Sequence, residues 1–60
     1  MYAREVQGRV PVIHPDAWVA ENAYLMGDIE VHEGASIWPG AVLRAEYGRI
    51  VVRRNAAVMD

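Results

Sequence analysis

Cysteine, lysine and threonine are absent from this chain of 60 residues, and serine occurs once. The lack of cysteine excludes a disulfide framework and a thiolate zinc site. The single serine, Ser36, has no pair of histidines near it in the sequence, so nucleophilic catalysis has no support. No apolar run is longer than four residues, which argues against a membrane span or a signal-peptide core. These absences predict a cytoplasmic protein.

The chain also lacks a large excess of either positive or negative charge. Arginine supplies all six positive charges, eight residues are acidic, and the net charge is −2. This balance provides neither the basic field that nucleic acid requires nor a polybasic membrane patch. The hydrophobic content of 53% and charged content of 23% are those of a globular protein. Because so short a chain without disulfides rarely buries enough apolar surface, we expect oligomerisation or additional chain.

The strongest pattern in the sequence is a period of six. Large aliphatic residues recur at this interval and, after an insertion of three residues, resume the same spacing. Small residues follow them four positions later. The aliphatic positions are Ile13, Val19, Leu25, Val31, Ile37, Leu43, Val52 and Val58, and the small ones are Ala17, Ala23, Ala35, Ala41 and Ala56. A helix is a poor alternative, since six fits neither 3.6 nor 3.5 and three prolines interrupt the chain.

A six-residue unit is physically a short strand followed by a corner, and three units make one coil of 18 residues. Turn-forming pairs such as Pro15-Asp16 and Pro39-Gly40 separate the strands. We therefore predict an all-β chain of stacked parallel coils with the aliphatic side chains inside. The predicted division is one domain over residues 1–60, with capping strands over 1–12 and about two and a half coils over 13–60. We expect a bulge near 46–49, and we expect the chain to be the N-terminal part of a longer solenoid.

Two short segments near the N-terminus, 2–6 and 10–13, are separated by a break at Gln7-Gly8. This pattern predicts a short hairpin or strand pair that covers the first coil.

Three segments, residues 13–20, 26–29 and 34–44, resemble the gamma-class carbonic anhydrase-like family. Residues 43–52 are especially similar to its branch of phenylacetate-degradation and carnitine-pathway hexapeptide proteins. The resemblance implies a left-handed parallel β-helix that assembles as a homotrimer. It also implies a zinc, iron or cobalt ion between subunits, held by three histidines that would lie beyond residue 60. Zinc-bound hydroxide would then hydrate CO2, a small-molecule substrate, to bicarbonate.

The same resemblance nominates three site residues. Arg44 and Glu46 match the Arg and Asp of the family's Arg-Gly-Asp signature, which bridges subunits near the metal. Asp60 matches the Asp of the Asn-Ile-Gln-Asp signature and would orient the metal-bound water. The chain departs from both signatures, with Ala45 in place of Gly and with Met59 in place of Gln. A methionine side chain cannot supply the hydrogen bonds of an amide.

Other residues have structural readings that we favour over functional ones. His14 and His32 occupy the same phase one coil apart, which is compatible with a two-histidine metal site but is more typical of solvated or turn-bonded histidines. Trp18, Tyr24 and Trp38 are expected to pack at the trimer interface, or under the C-terminal helix that the family usually has, rather than to bind a ligand.

Three functions therefore remain open at the level of sequence. The first is a subunit of a trimeric carbonic anhydrase-like metalloprotein. The second is a hexapeptide acyltransferase or thioesterase acting on CoA thioesters, and the third is a non-catalytic trimeric scaffold.

Overall fold

The computed structural model describes residues 1–59. It is all-β, with seven strands and no helix over this range. The strands are β1 (Tyr2–Arg4), β2 (Val12–Ile13), β3 (Trp18–Val19), β4 (Tyr24–Val31), β5 (Ser36–Ile37), β6 (Val42–Val52) and β7 (Ala57–Val58). Since no helix is present in the described residues, none there is long and apolar enough to cross a membrane.

Every pairing between these strands is parallel. In one sheet β4 pairs with β6 on one side and with β1 and β2 on the other, and in a second sheet β5 lies between β3 and β7. Tyr24 lies opposite Val42 and Trp18 opposite Ser36, a separation of 18 residues in both cases. The predicted parallel coils are confirmed, and the arrangement is compatible with a hexapeptide-repeat β-helix.

The interior of the coils is filled by the residues that the period of six selects. Leu25 and Ile37 are fully buried, and Leu43 lies with them in a single hydrophobic cluster. The remaining aliphatic positions and all five periodic alanines belong to this cluster or pack against it: Ile13, Val19, Val31, Val52, Val58, Ala17, Ala23, Ala35, Ala41 and Ala56. Ile29, which departs from the alanine phase, is also fully buried.

The third corner of the coil is formed at Gly27, where β4 bends without ending. Gly27 has a φ of 93°, a conformation that residues with a Cβ rarely adopt. A Cβ at this position would also lie 2.3 Å from the carbonyl oxygen of Ala45 in the next coil. The close stacking of the two coils therefore requires glycine here.

The predicted bulge is present on the strand that stacks against this corner. Gly27 pairs with Ala45 and Ile29 with Ile50, so residues 46–49 of β6 lie opposite Asp28 alone. We call residues 46–49 the corner bulge. The pairing before and after it keeps each aliphatic side chain on the inside, because the shift is taken up at the surface.

The N-terminal segment differs from the predicted hairpin. β1 and β2 do not pair with each other, and each instead pairs in parallel with β4. The antiparallel contact is reduced to a single bridge between Val6 and Arg9 around the Gln7-Gly8 turn. Pairing with β4 places Ala3 beside the buried Leu25. This arrangement is favoured because an isolated two-stranded hairpin is at best marginally stable. The division at residue 12 and the capping role stay predictions.

Candidate functional site

Two insertions meet at one corner of the coil. Residues 5–11, which we call the N-terminal loop, connect the two strands beside β4, and the corner bulge occupies the same corner one coil above β4. We call this place the insertion corner. An open cavity of about 490 Å³ lies between the two segments. Its lining is Val6, Gln7, Arg9, Asp28, Ala45, Glu46, Tyr47, Gly48 and Arg49.

A line of charged side chains crosses the coils beside this cavity. Nε of Arg49 donates to Oδ2 of Asp28 at 3.2 Å, and its Nη1 lies 3.2 Å from Oε2 of Glu30. The other oxygen of Glu30, Oε1, lies 3.3 Å from Nε2 of His32. The guanidinium therefore joins the corner bulge to two carboxylates of β4.

These carboxylates raise the pKa of Arg49 above its ordinary value. The hydrogen bond that Arg49 donates to Asp28 is the largest cause, followed by the negative charges of Asp28 and Glu30. A raised pKa in the folded state means that the stabilisation is fully present at lower pH and is lost only as the pH rises through that raised value. Arg49 is consequently charged throughout the neutral range.

Arg44 and Glu46 lie together at the same corner. They are two positions apart on β6, so both side chains point to its outer face. Nη2 of Arg44 donates to Oε1 of Glu46 at 2.6 Å. The side chain of Arg44 is 62% exposed and that of Glu46 is 37% exposed. The structure thus brings these two nominated residues into contact within one chain, beside the cavity.

Asp60, the third nominated residue, lies outside the described residues. Met59 is exposed, and its thioether lacks the hydrogen-bonding groups of an amide side chain.

Residues 1–59 do not form a metal centre by themselves. No group of three histidine or carboxylate side chains is arranged to hold an ion among residues 1–59. His14 and His32 do lie in the same phase of successive coils, as their neighbours Ile13 and Val31 pair. However, Nδ1 of His14 accepts the backbone N–H of Asp16 at 3.0 Å, and His32 contacts Glu30. Both histidines thus have the local partners that the structural reading predicts.

Four of the five aromatic residues form two pairs outside the lining of the cavity, and the fifth, Tyr47, is exposed in the corner bulge. Trp18 and Trp38 make an edge-to-face contact with their ring centroids 5.6 Å apart. Tyr2 and Tyr24 are stacked at 6.0 Å. Trp38 also donates from Nε1 to Oγ of Ser36 at 3.0 Å, which assigns a structural bond to the only serine. Packing of these rings at an interface stays a prediction.

Sequence reasoning missed two residues of this corner, Asp28 and Arg9. The signal for Asp28 was available, because the three-residue insertion places Arg49 one coil above it. The signal for Arg9 was the Gln7-Gly8 turn, which shows that the chain reverses direction beside Arg9. The loop can be assigned to this corner only when β1 and β2 are known to pair with β4.

Comparison with known proteins places the fold in a family. The family described as bacterial transferase hexapeptide (six repeats) matches residues 11–45. The chain belongs to this hexapeptide-repeat family. The matched region covers the first full coil and the beginning of β6, including Arg44. No solved structure matches the chain significantly.

Curated hexapeptide relatives are also similar. The carnitine operon protein CaiE of Escherichia coli O1:K1 / APEC is 44% identical over 54 residues. The CaiE proteins of E. coli O139:H28 (strain E24377A / ETEC) and of E. coli (strain K12 / DH10B) match equally. Each alignment covers 90% of this chain and 28% of the relative, so the chain spans about a quarter of their length. The resemblance to the carnitine-pathway hexapeptide proteins is confirmed.

Proposed function

We propose that the chain contributes one side of an intersubunit site in a homotrimeric, gamma carbonic anhydrase-like hexapeptide protein with left-handed coils. The observation that carries the proposal is the Arg44–Glu46 pair, which lies exposed at the insertion corner. Membership of the hexapeptide family and the 18-residue register support the scaffold. The resemblance of residues 43–52 supports the interfacial role of the pair.

The geometry of Arg44 suits a residue that also binds a neighbour. A guanidinium carries five N–H donors in a planar fork. Glu46 engages Nη2 alone, and more than half of the side chain faces solvent. A carboxylate from a second subunit can therefore reach the remaining donors, and such a pair is stronger when a protein interface excludes water from it.

The proposed metal is zinc, with iron or cobalt as alternatives, and its ligands must come from residues other than those described here. Hydration of CO2 is the activity that follows from this proposal. The part assigned to this chain is narrower: Arg44 and Glu46 hold neighbouring subunits in register, and Asp60 contributes a carboxylate near the metal. A cytoplasmic location belongs to the same proposal.

The test measures assembly and chemistry separately, on a protein in which this chain is joined to the histidine-bearing coils. Sedimentation velocity should show a trimer for the wild type and a shift to monomer for Arg44→Ala. Arg53→Ala is the matched control, because Arg53 is an exposed arginine with no ion pair among residues 1–59. Zinc content and CO2 hydration should then fall together with the trimer.

A trimer that persists in Arg44→Ala would contradict the interfacial role. A trimer that binds no metal and hydrates no CO2 would instead indicate the non-catalytic scaffold, which the exposed Met59 at the glutamine position favours.

Acyl transfer or thioester hydrolysis is the second candidate, and the description of the matched family as transferases favours it. It predicts turnover of a CoA thioester in the presence of a metal chelator. Loss of that turnover on chelation would contradict metal-free acyl transfer and would support the metalloprotein.

A further inference from the structure

The charged side chains that line the cavity at the insertion corner differ in whether they have a partner among residues 1–59. The two lining carboxylates both have partners in the chain: Asp28 accepts from Arg49, and Glu46 accepts from Arg44. Arg9, which lines the same cavity, makes no ion pair or side-chain hydrogen bond among residues 1–59. The cavity therefore offers a cation without an ion pair in the described residues, beside carboxylates that already have partners.

The backbone holds Arg9 in a defined loop. The amide of Val6 donates to the carbonyl of Arg9 at 2.9 Å, and the amide of Arg9 donates back to Val6 at 3.0 Å. Between them, Gln7 and Gly8 both have positive φ, 52° and 79°, as a tight hairpin turn requires. A side chain on such a closed loop loses less backbone freedom when it binds a ligand.

We propose that the cavity between the N-terminal loop and the corner bulge binds a small oxyanion, a carboxylate, bicarbonate or phosphate, with the guanidinium of Arg9 as its anchor. Arginine presents two parallel N–H groups to such an anion. The volume of about 490 Å³ lies within the range of small-molecule sites. Bonds that Asp28 and Glu46 already make within the chain reduce their repulsion of the ligand. This site requires no metal, so it stands or falls independently of the proposed hydration of CO2.

The other exposed arginines provide the comparison that the test needs. Arg53 is also without an ion pair in the described part of the chain, but it lies one coil above His32 and does not line the cavity. A general attraction of anions to exposed arginine would affect both residues equally. Anion binding in the cavity would instead be weakened by substitution of Arg9 and not by substitution of Arg53.

The experiment is a titration of the 60-residue chain, freed of metal on a chelating resin, by 1H–15N NMR, with sodium phosphate, sodium bicarbonate and sodium acetate added in separate series. Sodium chloride keeps the ionic strength constant. The amides of Arg9 and Gly48 should shift with a saturable dependence on the oxyanion. In Arg9→Gln the apparent dissociation constant should rise at least about tenfold, while Arg53→Gln should leave it within about twofold.

Arg9→Lys separates the fork from the charge, and it keeps the test valid should Arg9→Gln lose the dispersed amide signals of the folded chain. Lysine retains the cation but not the planar pair of donors, so binding should weaken several-fold. Phosphate binding with no response to acetate would identify a phosphate group as the ligand, and the reverse would identify a carboxylate. Equal loss in Arg9→Gln and Arg53→Gln, or no binding beyond that of chloride, would overturn the proposal.

Discussion

The regular corners and the insertion corner solve the same problem of stacking one coil on another in different ways. At a regular corner, backbone groups connect the coils: the amide of Gly34 donates to Asp16, and the amide of Asn55 donates to Glu33. At the insertion corner, side chains make the connection, through Arg49 to Asp28 and Glu30. The repeat thus provides the scaffold, and the break in the repeat is where charged groups collect around a cavity.

The largest effect should come from the interior that both kinds of corner enclose. Ile37 is fully buried, so Ile37→Ala should lower the free energy of unfolding by about 2–5 kcal/mol through lost burial and a residual cavity. Val42→Ala is the control on the outer surface, where Val42 is 62% exposed, and it should cost less than about 0.5 kcal/mol. Urea unfolding followed by circular dichroism measures both. Similar losses in the two variants would contradict the interior that we describe.

Gly27 is the position where the insertion corner is most constrained. Gly27→Ala should cost about 2–3 kcal/mol, because the new Cβ meets the carbonyl of Ala45 and the φ of 93° is strained for alanine. Gly48→Ala is a matched control in the corner bulge, since a Cβ there meets no atom within 4 Å. The expected order of thermal midpoints is wild type and Gly48→Ala together, with Gly27→Ala well below them. A Gly27→Ala variant as stable as wild type would show that the coils can separate at this corner.

A regular corner contains one side-chain bond that can be removed alone. The amide of Gly40 donates to Oδ1 of Asn22 in the coil before it, at 3.2 Å. Asn22→Ala should lower the free energy of unfolding by about 1 kcal/mol. Asn22→Asp keeps the acceptor oxygen and should recover most of that loss, and hydrogen exchange of the Gly40 amide would report the bond directly. If the Gly40 amide exchanged at the same rate in Asn22→Ala and Asn22→Asp, the bond would not contribute to stacking.

The smallest effect is expected from the Arg44–Glu46 pair at the insertion corner. Both side chains reach solvent, and exposed ion pairs contribute about 0–1 kcal/mol. A double-mutant cycle of Arg44→Gln and Glu46→Gln, measured at a dilution where sedimentation velocity shows a monomer, should therefore give a coupling below about 1 kcal/mol that falls further with added salt. A much larger coupling would mean that the pair stabilises the fold itself rather than being available to a neighbouring subunit.

Much of the scaffold was predictable because the period of six is tied directly to burial. Leu25, Ile37 and Leu43 could be placed inside from spacing alone, and the bulge followed from the interruption of that spacing. Ile29 was not predicted as a core residue, because the pattern assigned its position to a small side chain. The corner near Gly27 has room for isoleucine since the chain bends there without a regular two-residue turn.

The candidate site was less predictable for two physical reasons. The contact between Arg49 and Asp28 depends on which residues are stacked, and stacking at a corner depends on an insertion whose exact position the sequence leaves ambiguous within a few residues. The place of Arg9 depends on β1 and β2 choosing β4 over each other, which is a competition between local and long-range pairing. The sense of the coil is not encoded in the spacing at all.

The corner bulge leaves the pairing on either side of it unchanged, with Gly27 opposite Ala45 and Ile29 opposite Ile50. Length and composition can consequently vary at this one place at little energetic expense, because long surface loops add only slowly to the entropy of closure. The architecture separates what must be preserved from what is free to diversify. New recognition properties could be engineered or evolve there by exchanging a few residues, while the stacked interior underneath stays the same.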